Sequence, residues 1–213
     1  MGDPSDRNEI RLTYDRIADH FADTRQHAWD EVLTFIEDCP TGEFGIDIGA
    51  ANGRHIPALT QICTDVIALD ISRRLLERGR IENPSDDVWW VQGDAMTLPL
   101  NCDVIDVAIA IATYHHLPSR SDRIAGYDEL ARILGPAGVA FISVWSVTHD
   151  RFDESKPTDK LVPWTLPSGE TIDRYYHLYD QPSFERDLQD SQLSVLDRYE
   201  ANGNLYARVT SSK

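Results

Sequence analysis

The chain has 213 residues, is 41% hydrophobic and carries five tryptophans, enough apolar material for one substantial core, and it holds no apolar run near the roughly 18 residues of a membrane span. Its formal net charge is −16; Asp supplies 25 and Glu 11 of the acids, while Arg supplies 17 and Lys only 3 of the bases. That balance removes the usual basic-surface argument for a nucleic-acid binder, and it suits the high internal salt of a halophile, where self-repulsion is screened.

Met1-Gly2-Asp3-Pro4-Ser5-Asp6 lacks the basic start and apolar core of a secretory signal. Cys39, Cys63 and Cys102 are odd in number and show no C-x-x-C spacing. A cytoplasmic protein without a cysteine-built metal site is expected, and no other metal site is read in this chain.

Residues 1–42 read as N-terminal helices. Ile10, Tyr14, Ile17 and Phe21 form one apolar stripe behind a possible N-cap at Asp6. A second helix is expected over Ala28 to Asp38, with Trp29, Val32, Leu33 and Ile36 inward, closed by Pro40 and Gly42. Strands and helices then alternate. The apolar runs Phe44 to Ile48, Val66 to Leu69, Val88 to Val91, Val104 to Ile111 and Val139 to Val144 are candidate parallel strands, with a helix over Asp122 to Leu134 stopped at Gly135-Pro136-Ala137-Gly138. This alternation predicts a single α/β domain with a doubly wound, mostly parallel sheet. Residues 146–174, polar and Pro-rich, read as a long loop or lid over the strand ends. An extended Tyr175 to Tyr179, a helix near Pro182 to Asp190, and an antiparallel hairpin turning at Asn202-Gly203 complete the chain.

The first strand runs into Gly45-Ile46-Asp47-Ile48-Gly49-Ala50-Ala51-Asn52-Gly53-Arg54, and the second ends on Asp70. An acid about 20 residues beyond a glycine loop is the spacing at which ribose hydroxyls are held. The loop lacks both the full Gly-x-Gly-x-x-Gly fingerprint and the Gly-Lys-Ser/Thr of a phosphate loop. Asp47, inside the strand end, suits an amino-acid ammonium. A nucleoside joined to an amino acid is S-adenosylmethionine, so this loop nominates a methyltransferase. Gly93-Asp94-Ala95 falls at the end of the next apolar run, on the same sheet edge.

Other groups gather at that edge. His115-His116 follows the fourth strand, and neighbouring histidines on a loop face different ways. Arg25 follows the first helix, where it is either a helix-terminal cation or a fork for a carboxylate or phosphate. Trp145, Trp164 and Tyr175-Tyr176-His177 are core packing or stacking surfaces for a base.

The stretch Tyr14 to Arg25 with Trp29 resembles the opening of the tRNA wobble-uridine carboxymethyl methyltransferases, class I S-adenosylmethionine-dependent enzymes with a Rossmann-like fold. Gly45 to Arg54, Ala110 to Leu117, Val162-Pro163-Trp164 and Arg174 to Tyr179 are similar too, in order along nearly the whole chain. Two departures are Ala50-Ala51 in place of the family's usual Cys-Gly, and a near-absent insertion between Trp164 and Tyr175.

The resemblance implies methyl transfer to the carboxylate of 5-carboxymethyluridine at tRNA position 34. A carboxylate is already ionised near neutrality, so the reaction is a positioning problem and needs no general base. By the same resemblance Arg25 holds the substrate and His116, with His115 beside it, lines the reaction site. Asp47, Gly49, Ala51 and Gly53 cradle the methionine end, Asp70 the ribose, and Asp94 with Ala95 the adenine. A small zinc-binding activator protein is the implied partner, added as a strand to a sheet edge to give a heterodimer; Val88-Trp89-Trp90-Val91 is the sequence hint. Two alternatives share the loop: a small-molecule O- or N-methyltransferase, and a non-catalytic S-adenosylmethionine-binding subunit.

Overall fold

In the computed structural model, which describes residues 6–152 and 155–213, two helices precede the sheet: α1 (Arg7–Thr24) and α2 (Asp30–Glu37). The Asp6 carboxylate caps α1 by accepting from the backbone of Asn8 and Glu9. The α/β alternation follows as β1 (Gly42–Ile48), α3 (Ile56–Leu59), β2 (Cys63–Asp70), α4 (Arg73–Glu82), β3 (Val88–Gln92), β4 (Ile105–Ile111), α5 (Arg120–Ile133) and β5 (Leu134–Trp145). The remainder is β6 (Thr158–Thr165), β7 (Thr171–Leu178), α6 (Gln181–Gln189), β8 (Leu193–Ala201) and β9 (Asn204–Ser211).

One seven-stranded sheet runs in the order β3-β2-β1-β4-β5-β9-β8. The first five of these strands pair in parallel, and β9 joins β5 and β8 antiparallel. This is the expected doubly wound α/β sheet with a C-terminal hairpin. Asn202 and Gly203 both adopt positive φ at the hairpin turn, as a two-residue loop between right-twisted strands requires. Along each strand, alternate residues feed two cores. Ile46, Ile48, Ile67 and Leu69 pack beneath α5 and α6, whereas Val66, Ala68, Val107 and Ile109 pack beneath α2 and α3.

Three expectations need correction. Residues 146–174 are not a loop throughout: Thr158–Thr165 is a strand paired with Thr171–Leu178, forming a separate two-stranded sheet with Val162, Trp164, Ile172 and Arg174 buried. Its alternation was masked by Asp159, Lys160 and Pro163 on this narrow ribbon, where a missing ladder N–H is tolerated. Leu33 is exposed rather than inward, because Phe35 takes the buried side of α2. Gly135 to Gly138 lies inside β5, where a register shift between Ile105 and Val107 absorbs it.

Helix α1 lies across the carboxyl ends of the strands. Asp15 fixes it there: its carboxylate accepts from the Ser72 hydroxyl at 2.7 Å and the Arg74 backbone at 3.2 Å, at the start of α4. No helix among the described residues is long and apolar enough to cross a membrane.

Candidate functional site

A pocket opens between the carboxyl ends of β1, β2, β3 and β4, where the topology gathers the loops that follow them. Its roof is α1. Arg7, Ile10, Tyr14, Phe21 and Arg25 recur at helical spacing and all line it. The stripe legible as a core face is thus divided: Ile17 and Ala18 pack against Leu75 and Trp164, and the rest closes the pocket.

The floor is the glycine loop. Gly49 has φ +78°, and a Cβ there would stand 2.2 Å from Thr113 Oγ1. The close approach fixes strand β4's loop against β1, because that hydroxyl donates to the Ile48 carbonyl at 2.9 Å. Ala51 and Ala112 also line the pocket with positive φ, of 51° and 55°, a conformation unfavourable for any residue with a Cβ. Asp70 ties the loop to the next strand. One carboxylate oxygen accepts from the Ala51 N–H at 2.8 Å and the other from the Ser72 N–H at 2.7 Å. Burial pushes its pKa up to about 6, against the opposing pull of those two N–H groups.

Asp70, Gly49, Ala51, Asp94 and Ala95 all line the pocket, while Gly53 shapes the loop from below. Asp94 is paired with Arg7 at 2.6 Å and accepts from the Met96 N–H. Asp47 is not among the residues that line the pocket. It is 1% exposed, and its Oδ2, which makes no hydrogen bond among the described residues, lies 3.6 Å from His55 Nδ1. The pocket wall above it carries Arg54 and His55. Arg54 stacks over Trp29 at 5.1 Å, and burial lowers its pKa to about 10.

The histidine pair divides as neighbouring side chains do. His116 lines the pocket; its Nδ1 sits 2.8 Å from the Tyr175 carbonyl and its Nε2 2.9 Å from the Tyr14 hydroxyl. A carbonyl only accepts, so Nδ1 carries the proton and Nε2 accepts from Tyr14. Burial lowers the His116 pKa to about 4, helped by Arg174 and resisted by the Tyr175 carbonyl. His115 is fully buried behind the wall, accepting from the Trp145 N–H at 3.1 Å and stacking on Tyr176 at 4.8 Å. It supports the wall and does not reach the pocket.

The tyrosine run follows strand alternation. Arg174 and Tyr176 face the pocket. Tyr175 and His177 point the other way, the first donating to the Pro118 carbonyl at 3.0 Å and the second paired with Asp159 at 2.7 Å. Only the backbone of Tyr175 serves the site. Trp145 lines the pocket between Tyr176 and His149, whereas Trp164 lies behind Arg25 and Arg174.

Arg174 was not singled out from the sequence, and strand alternation applied to residues 174–178 would have found it. It is 3% exposed, donates to the Tyr176 hydroxyl at 2.7 Å, and has no partner for its Nε–H among the described residues. Arg25 rests over Phe21 and Trp164, its pKa lowered by burial and then by Arg174. Among the described residues neither guanidinium has a carboxylate within ion-pairing distance. In a chain of net charge −16, two arginines that line one pocket with no described carboxylate beside them make it suited to an anion.

Residues 46–142 match the family described as Methyltransferase domain. Over 166 residues, 76% of this chain, the sequence is 31% identical to the tRNA (carboxymethyluridine(34)-5-O)-methyltransferase of Saccharomyces cerevisiae, and over 170 residues, 80% of this chain, 31% identical to that of Arabidopsis thaliana. The chain spans 58% of the length of the first relative and 39% of the second. Among solved structures, a chain from the complex between the Haloferax volcanii Trm112 methyltransferase activator and a methyltransferase superposes with TM-score 0.69 at 15% identity, covering 96% of this chain and 97% of that one. The DhpI-SAM-HEP complex superposes with TM-score 0.74 at 19% identity over 95% and 96%.

Proposed function

We propose that this chain, similar over residues 46–142 to the Methyltransferase domain family and about 31% identical to tRNA (carboxymethyluridine(34)-5-O)-methyltransferases, is a class I methyltransferase that forms the methyl ester of 5-carboxymethyluridine at the tRNA wobble position. The observation that carries this reading is the pair Arg25 and Arg174, uncompensated by any described carboxylate and set beside Tyr14 and His116 in the pocket. A neutral amine or alcohol acceptor would leave both cations unpaired, whereas an acceptor carboxylate matches them.

The pocket fits S-adenosylmethionine as methyl donor. Asp70 presents a buried carboxylate where ribose hydroxyls would donate, Asp94 and Ala95 continue the wall for the adenine, and the Gly49–Gly53 loop with Arg54 faces the amino-acid end. Bound there, the cofactor supplies the methyl group from its sulfonium.

The remaining work belongs to this chain's own residues. Arg25 and Arg174 hold the acceptor carboxylate, and Tyr14, fixed by its hydrogen bond to His116, borders it. No proton has to be removed from an ionised carboxylate, and the lowered pKa of His116 suits a residue that orients rather than titrates.

The activator surface we assign to strand β3, one edge of the sheet. Trp89 there is 59% exposed, and Ile81 on α4 nearby is 76% exposed. A partner strand would pair the free edge and cover both. The Haloferax volcanii complex supports a small activator for this fold. A zinc-binding partner and addition by a strand are part of this proposal.

The test is to incubate purified protein, alone and with the activator, with S-adenosylmethionine and tRNA bearing 5-carboxymethyluridine, then to digest and analyse nucleosides by mass spectrometry. The methyl ester is expected. Cofactor binding without transfer to this or other acceptors would point to a non-catalytic subunit, and transfer only to small molecules would overturn the tRNA reading.

A further inference from the structure

Trp164 lies on the inner face of the hairpin made by β6 and β7, and its indole centroid lies 5.3 Å from the Arg25 guanidinium carbon and 4.7 Å from that of Arg174. Two like charges near one another repel, and each would ordinarily recruit a carboxylate. Here the shared neighbour is a ring face. The electron-rich face of an indole attracts cations without neutralising them.

The ring is itself held. Its Nε1–H donates to His20 Nδ1 at 3.1 Å on α1, and Phe21 packs against it at 5.5 Å. Register explains how it reaches Arg174: Val162 pairs with Arg174 and Trp164 with Ile172, so Trp164 and Arg174 are diagonal neighbours on one face. Arg25 arrives from the other side, at the end of α1. One indole therefore ties the roof helix to the hairpin through both arginines.

We propose that Trp164 is a positioning residue that holds Arg25 and Arg174 as a pair that no described carboxylate neutralises, so that the pocket takes its acceptor as an anion and releases it once methylation has removed the charge. This rests on the carboxylate-methylation reading above. The acceptor oxygen forms its bond to the methyl carbon as the carbon–sulfur bond breaks and its electron pair stays on sulfur. Carboxylate and sulfonium charges vanish together and no proton moves. The ester then faces two cations with no anion to offer, and the unpartnered Arg174 Nε–H loses its charge-assisted acceptor. An internal aspartate or glutamate in place of the indole would have satisfied the arginines permanently and removed this discrimination.

Two measurements test it. In the first, an anticodon stem-loop bearing 5-carboxymethyluridine and the same RNA as methyl ester are titrated against wild-type protein, Trp164→Phe and Trp164→Leu, each saturated with S-adenosylhomocysteine. Wild type is expected to prefer the acid by about tenfold or more, as a charge-assisted contact gives. Trp164→Phe, which keeps a ring face, should retain most of that preference. Trp164→Leu should lose it and raise KM for the acid, with S-adenosylhomocysteine affinity unchanged. In the second, the indole Nε1–H resonance of Trp164 in the wild-type protein is followed by NMR during titration with acetate and with methyl acetate. Only acetate should shift it, and Arg174→Gln should abolish the shift. This second arm stands even where Trp164→Leu does not fold. If acetate alone moves the indole while the modified RNA is neither bound nor methylated, the arginine pair stands and the tRNA reading falls. If the RNA is methylated but acid and ester bind alike, or Trp164→Leu keeps the preference, the proposal is overturned.

Discussion

The Tyr14 hydroxyl sits 2.9 Å from His116 Nε2, joining the roof helix α1 to the turn after β4. With Nδ1 committed to the Tyr175 carbonyl, the imidazole is locked as a neutral acceptor, and burial holds its pKa near 4, down from 6.5. A folded-state pKa below the unfolded one contributes stability that is full above about 6.5 and is lost as pH falls through about 4. It contributes no titration to the reaction above that range. At saturating cofactor, kcat on the carboxylate acceptor should show no limb between pH 6 and about 8.5. A limb near 6.5 that disappears in His116→Asn would give the imidazole a proton-transfer role instead.

Arg25→Ala should lower kcat/KM on the carboxymethylated tRNA by roughly 100-fold or more, since loss of a positioning fork misplaces the reacting oxygen. Cofactor binding should stay within about twofold of wild type, because the contact of Arg25 with the glycine loop is made by its backbone carbonyl, which accepts from Asn52 Nδ2 at 3.1 Å and survives the substitution. Arg25→Lys keeps the charge without the planar fork, so intermediate activity is expected. Isothermal titration with S-adenosylhomocysteine, run beside the activity assay, separates the two effects; unchanged turnover in Arg25→Ala removes the residue from substrate binding.

Asp70 carries the opposite sign from His116. Its pKa in the folded chain is raised from 3.8 to about 6, so its contribution to stability is present below 3.8 and lost as pH rises through about 6. Ribose hydroxyls donate to the ionised form. Cofactor affinity should therefore fall as pH drops below about 6, by up to about tenfold per unit. Asp70→Asn should bind weakly with a flat profile over the same range. A profile in Asp70→Asn that still bends near 6 would assign the titration to another group.

Ala51 adopts φ 51° in the loop, a left-handed conformation that a glycine takes without steric cost. A left-handed alanine costs about 1–2 kcal/mol, partly offset by the extra freedom a glycine brings to the unfolded chain. Ala51→Gly should be stabilising by about 0.5 kcal/mol net and should bind the cofactor at least as tightly. Denaturant midpoints and calorimetric affinities would report both; a loss of stability would mean that the Ala51 methyl packs usefully in the pocket wall.

The parts of the site that were legible in the sequence are local ones. Gly49, Gly53 and Asp70 stand at a fixed spacing set by one strand–loop–helix–strand unit, and Asp6, the α1 stripe and the Asn202-Gly203 turn are equally local. What escaped depends on pairing across the chain. Residues 158–165 alternate inward and outward only once β7 lies beside them, so Val162 and Trp164 looked like loop residues and Arg174 looked like part of an aromatic run. Asp47 is legible as an acid at a strand end, but not its burial 3.6 Å from His55 Nδ1, which depends on the loop packed against it. His115 and His116 could be assigned to different sides from adjacency alone, and the choice of His116 came from the family resemblance; it is the one that lines the pocket.

Trp90, next to the exposed Trp89 on β3, fills the space left by two absent side chains: a Cβ on Gly53 would stand 2.4 Å from its ring and one on Gly79 2.3 Å. The three positions come from the glycine loop, helix α4 and the edge strand, so they are sterically coupled rather than independent. A smaller residue at position 90 opens room for a methyl group at 79, and drift at any one site is licensed only by the others. The edge of the sheet at β3 and the glycine loop after β1 are thus tied together through a single indole.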